Sequence, residues 1–173
     1  MIADTAQSAR GGPAPWPTPS LFNEAVQNLS STMADEELRR GAAAVNASGL
    51  PLLYSGGFAD VYRVHCRTTG NTWAVKFFKH AVSGQRERYR AISDWLEQAR
   101  LPFIVDFRYL EQGVRIAGNW YPIVKMRWVE GQHLNRFVAE SLTRPRMLEQ
   151  LFGLWVKLAA RLHESGIAHA DLP

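Results

Sequence analysis

Three short stretches of the 173-residue chain carry residue types that could do chemistry together. In Tyr54-Ser55-Gly56-Gly57-Phe58-Ala59-Asp60-Val61 a glycine pair lies between apolar segments. Glycines there let backbone amides approach a phosphate closely, and Phe58 at the tip can cap it. The same residues also suit a plain hairpin turn. No Gly-Lys-Ser/Thr follows, which excludes a Walker A loop, and a strand rather than a helix follows, which argues against a dinucleotide-binding turn. Within Trp73-Ala74-Val75-Lys76-Phe77, Lys76 is a lysine among apolar residues: it either snorkels to water or points its charge at an anion. The third stretch is His169-Ala170-Asp171 near the chain's end, which alone reads as an exposed tail.

The elements that must position these residues are legible as pattern. VYRVHC and TWAVKFF, joined by Thr69-Gly70-Asn71, read as a β-hairpin that puts Lys76 beneath the glycine turn. Ser83 to Gln98 has helical periodicity in Tyr89, Ile92, Trp95 or Leu96, and Ala99, and ends at Leu101-Pro102. Strands are expected in FIVDFRYL, GVRI and NWYPIVKMRWV, the last two joined across Ala117-Gly118-Asn119, with Pro122 at an edge or bulge. Leu134–Phe137 and Pro145–Glu164 read as helices, the second stopped by Gly166. Before the strands come a Pro/Gly-rich arm at 1–20, expected to be flexible, and a helical extension at 21–50, with LFNEAVQNL and DEELRRGAAAV as its helices.

In this order the motifs resemble the protein kinase superfamily. The glycine-rich loop of that family aligns with Tyr54 to Val61, with Gly56 at its second glycine, Tyr54 at the first and Ala59 at the third; its Val-Ala-Ile-Lys strand is similar to Trp73-Ala74-Val75-Lys76. Ile123 to Gly131 resembles the last small-lobe strand and the interlobe hinge. Leu162-His163-Glu164-Ser165-Gly166-Ile167-Ala168-His169-Ala170-Asp171-Leu172 resembles the entry to the catalytic loop. The resemblance implies an α+β fold: a kinase-like small lobe of antiparallel sheet plus one helix at 51–130, then the first helices of a large lobe at 131–173. It implies ATP and Mg2+ as cofactors and γ-phosphate transfer to a protein Ser/Thr hydroxyl. Gly56, Gly57, Phe58 and Lys76 would face the phosphates. Val61 and Ala74 would cover the adenine, Met126 would be the gatekeeper, and Val129 would offer backbone hydrogen bonds. Asp171 would orient the acceptor hydroxyl's proton while His169 holds the loop. Glu87 is the favoured ion-pair partner of Lys76, with a shifted helix, Asp94 as a substitute, or no ion pair at all as the alternatives. Ala170 stands where the family has Arg, so activation through a phosphorylated segment is not expected.

The family's magnesium ligands, an Asn five residues after the catalytic-loop Asp and the Asp of an Asp-Phe-Gly motif, have no counterpart before Pro173. The expectation is a domain interrupted at the catalytic loop and inactive by itself, with Leu151, Trp155 and Leu158 left exposed. Two other readings stay open. One is a non-catalytic nucleotide-binding module; the other is a small-molecule kinase, since His-Ala-Asp resembles His-Gly-Asp of antibiotic and sugar kinases. Composition bounds the rest. The net charge of +4 comes from basic residues spread among acids, and the densest group, Arg86, Arg88 and Arg90, suits a solvated helix face, which argues against a nucleic-acid partner. No apolar run reaches the roughly 18 residues that span a bilayer. With one cysteine, Cys66, and histidines at unsuitable spacing, no zinc site is expected; the chain reads as cytoplasmic.

Overall fold

A computed structural model describes residues 15–167. The chain begins with α1 (Pro19–Gln27), α2 (Leu29–Thr32) and α3 (Glu36–Arg39), followed by strands β1 (Gly41–Ala43), β2 (Leu53–Ser55), β3 (Ala59–Cys66) and β4 (Thr72–Phe78). Then come α4 (Gln85–Ala99), β5 (Phe107–Ile116), β6 (Asn119–Arg127), α5 (Leu134–Glu140) and α6 (Pro145–Glu164). The sheet is antiparallel, in the order β1-β3-β4-β6-β5, with β2 also paired to β3. This is the α+β architecture expected of a kinase-like small lobe. The chain divides into two compact units, one of residues 1–91 and 105–128, the other of 92–104 and 129–173.

In the first unit the sheet has two unlike faces, because alternate residues of each strand point to opposite sides. Tyr62, Val64, Trp73, Val75, Phe77, Val114, Tyr121 and Ile123 form one face. Phe22, Ala25, Val26, Leu29 and Leu38 of the N-terminal helices cover it, with Met33 between α2 and α3. On α1 the buried Phe22, Ala25 and Val26 follow helical spacing, with Pro19 in its first turn. Asp35 caps α3 by accepting the Leu38 amide at 3.1 Å, as the acidic start of that segment suggests.

Several expectations need correction. Gly41-Ala42-Ala43 continues as a strand on β3 rather than as helix. A Cβ at Gly41 would lie 2.5 Å from Val64 Cγ1, so glycine permits the close approach that ends α3. Trp16, assigned by composition to a flexible arm, packs against both sides of the sheet; its indole donates to the Phe78 carbonyl at 2.6 Å and its ring meets Tyr121 edge-on. Phe103 to Val105 are not strand, and Arg-Tyr-Leu and Gly-Val-Arg-Ile belong to one strand, β5. Pro122 is at a bulge, one of the two places expected of it, although its strand is central in the sheet. It is tolerated because β5 bulges opposite it, between Leu110 and Val114. Gly113 in that bulge has no room for a side chain: a Cβ would meet Ile123 Cγ1 at 2.2 Å.

A buried lysine locks the N-terminal helices to the sheet. Lys125, 2% exposed on β6, donates to Asp35 Oδ1 and Glu37 Oε2, both at 2.8 Å, and lies 4.2 Å from the centre of the Trp73 ring. Glu37 also accepts from Thr69 and Asn71, which tie the β3–β4 turn to α3. The Lys125 hydrogen bond holds the Glu37 carboxyl down, from the usual 4.5 to about 2. Because its folded value is depressed, the stability it adds is fully present above pH ~4.5 and is lost as pH falls toward 2. With its partial exposure discounted, roughly 2 kcal/mol should disappear over that window. Acid unfolding of Glu37→Gln should lack that component; an identical pH profile would contradict it.

In the second unit Leu151, Trp155 and Leu158 are half-buried rather than exposed. With Leu134, Val138, Leu148 and Phe152, Leu151 and Trp155 line an open apolar cavity of about 220 Å³ between α5 and α6. Phe152, Leu154 and Val156 are the large apolar side chains that α6 leaves exposed. Gly166 stops α6 at φ +65°, and Trp95 donates to the Ser165 carbonyl at 3.0 Å. No helix among the described residues is long and apolar enough to cross a membrane.

Candidate functional site

The sheet face away from the N-terminal helices carries the expected nucleotide-site residues. Lys76 pairs with Val61 on one side and Val124 on the other; Ala74 pairs with Met126. Directly paired residues project to the same side, so Val61, Ala74, Lys76 and Met126 share one surface. Behind them Ala59, Phe78 and Val124 form a small apolar cluster with Tyr89 of α4 and with Phe107, Tyr109 and Met126. Tyr89 stacks on Tyr109 at 5.1 Å. At one end Tyr54 packs on Trp128, with the Arg63 guanidinium 5.2 Å from the centre of that indole.

Lys76 is half-buried and, among the described residues, has no acid within ion-pair distance; its ammonium lies 5.8 Å from the centre of the Phe78 ring. The structure does not join it to Glu87, which is exposed in the first turn of α4. An uncompensated cation on an apolar face is a ready partner for an anion.

The glycine turn connects β2 to β3 at the edge of this surface. Neither Gly56 nor Gly57 has positive φ, and a Cβ at Gly57 would meet nothing within 4 Å. The fold itself therefore does not demand glycine there, and the space outside is open. Gly56 spends its amide on the Ala59 carbonyl at 2.9 Å. Gly57 and Phe58 donate no amide to another described residue, and Phe58 is 75% exposed. Free amides beside open space suit a phosphate group. Gly57→Val should leave thermal stability nearly unchanged yet weaken ADP binding several-fold; calorimetric titration beside a melting curve checks both.

Beneath the turn lies a group not singled out from sequence. Asp60, 1% exposed, accepts from Ser55 Oγ at 2.7 Å and pairs with Lys79 Nζ at 3.2 Å. Burial, with the Asp60 charge close by, pushes the Tyr62 hydroxyl up to about 12 and keeps it neutral. A signal was available: β3 alternation turns Asp60 to the same side as Tyr62 and Val64, and an inward acid needs a cation.

Val129 is 63% exposed and makes no backbone hydrogen bond to another described residue. His169 and Asp171 lie outside the described residues. Among the described residues no three His, Cys, Asp or Glu side chains gather as metal ligands.

A family model described as a phosphotransferase enzyme family matches residues 53–173. Among curated proteins, the inhibitor of nuclear factor kappa-B kinase subunit beta of Bos taurus is 29% identical over 126 residues. Its counterpart in Rattus norvegicus is 28% identical over 127. Each alignment covers 69% of this chain and 17% of the relative, so the chain spans a small part of the curated proteins it matches. No solved structure matches.

Proposed function

The chain belongs to the phosphotransferase enzyme family, and from that premise we propose that its Lys76 face binds ATP for transfer of the γ-phosphate to an alcohol hydroxyl. The single observation that carries this reading is a lysine with no acid partner among the described residues, sharing a surface with Val61, Ala74 and Met126 beside a glycine turn whose Gly57 and Phe58 amides bond no other described residue. Lys76 and the Gly57 amide would hold phosphate oxygens. Val61 and Ala74 would cover the base, and Met126 would bound its depth. When bound, ATP supplies an activated phosphoryl group. The protein's part is then orientation and charge neutralisation, with Asp171 taking or directing the acceptor's proton and His169 holding its loop.

The acceptor in the first reading is a protein Ser/Thr hydroxyl, in line with the kinase relatives. A small-molecule alcohol is the second reading, favoured by the family match running through His169-Ala170-Asp171. A reducing cytoplasmic setting suits the single, buried and free Cys66. The test offers γ-labelled ATP with a Ser/Thr peptide pool and, separately, a pool of amino-sugar alcohols. Label in either pool, abolished by Asp171→Asn, supports phosphoryl transfer and chooses the acceptor. ADP binding with label in neither pool supports the non-catalytic reading instead.

A further inference from the structure

Lys79, a second lysine, holds the glycine turn from its protein side. Its ammonium donates to the Gly56 carbonyl oxygen at 2.8 Å and to Ser55 Oγ at 2.8 Å, while pairing with buried Asp60 at 3.2 Å. Its backbone amide donates to the Phe58 carbonyl at 3.0 Å. The two carbonyls on either side of Gly57 are thus both bound to one residue. In a trans peptide plane the C=O and the following N–H point in opposite directions, and the described chain has no cis bonds. Drawing the Gly56 oxygen toward Lys79 therefore turns the Gly57 N–H away from it, toward open space. Asp60 fixes the ammonium that does this: the acid is buried, Ser55 restrains the same oxygen, and Lys79 is its only cation among the described residues.

We propose that Lys79, braced by Asp60 and Ser55, is a positioning residue that presents the Gly57 amide to the phosphates of a bound nucleotide. The inference rests on the nucleotide reading above and goes beyond it, because Lys79 itself faces the turn's carbonyls and need touch no phosphate. It predicts a loss confined to phosphate recognition. A lysine that merely supported the fold would affect all ligands alike.

The experiment uses the full chain with ADP and adenosine as probes, comparing the wild type with the double variant Asp60→Asn, Lys79→Gln. Changing both residues strands no buried charge. The expected result is ADP affinity lower by about tenfold, with adenosine affinity unchanged and amide exchange accelerated at Gly56 and residue 79, whose amides bond the Ala59 and Phe58 carbonyls. Equal losses for both ligands, or no loss for ADP, would overturn the proposal. Where the double variant does not fold, Ser55→Ala carries the same comparison: ADP weaker by about threefold with adenosine unchanged supports it, and unchanged ADP affinity overturns it. If the wild type binds adenosine and ADP equally, this inference fails while base binding stands. If it binds neither, the nucleotide reading falls and takes this one with it.

Discussion

Lys125→Met is expected to cost the folded chain about 3–5 kcal/mol, the usual penalty for removing one partner of a buried ion pair. The lysine is 2% exposed and satisfies Asp35 and Glu37 together, so its loss leaves two carboxylates facing each other beside Trp73. Methionine keeps the packing of the stem, which isolates the charge. For a chain of this size the melting temperature should fall by on the order of 10 °C. The triple variant Lys125→Met, Asp35→Asn, Glu37→Gln should recover most of that, since no charge is stranded and Asn still caps α3. A fall under about 1 kcal/mol for the single variant, measured by thermal or urea unfolding, would contradict the lock.

Lys76→Met should do the reverse: little to stability and much to binding. No acid depends on Lys76 among the described residues, so stability should stay within about 0.5 kcal/mol. A charge-assisted hydrogen bond to a phosphate contributes roughly 1.5–3 kcal/mol, so ADP should bind about 10- to 100-fold more weakly. Adenosine, which has no phosphate, should bind as before. Calorimetric titration of both ligands checks this, and equal loss for both would move Lys76 from phosphate binding to general support.

These two lysines mark the boundary of what the sequence makes legible. Lys76 lies inside an apolar strand run next to a glycine turn, and local pattern suffices to place Val61, Ala74 and Met126 beside it. The α4 and α6 helices follow from periodicity and stop signals in the same way. Lys125 sits in an equally apolar run, yet its partners lie about ninety residues earlier, at Asp35 and Glu37. No periodicity reports which side of a central strand a separate helical segment will cover. Trp16 was hidden for the same reason: the proline-rich composition around it says nothing of a partner such as the Phe78 carbonyl, sixty-two positions away. The Ala-rich segment after Gly41 has high helix propensity and was overridden by pairing with β3. Ion pairing of Lys76 with an acid on α4 is a matter of helix register, which spacing alone leaves open.

The central claim is that one face of this sheet is a nucleotide-phosphate site. Its most direct test is an ADP titration of the isotopically labelled chain followed by amide NMR shifts. Saturable shifts are expected at Gly57, Phe58, Val61, Lys76 and Met126, with Phe22, Leu38 and Val114 on the helix-covered face unmoved. No saturable shift, or shifts gathered on that helix-covered face, would contradict it.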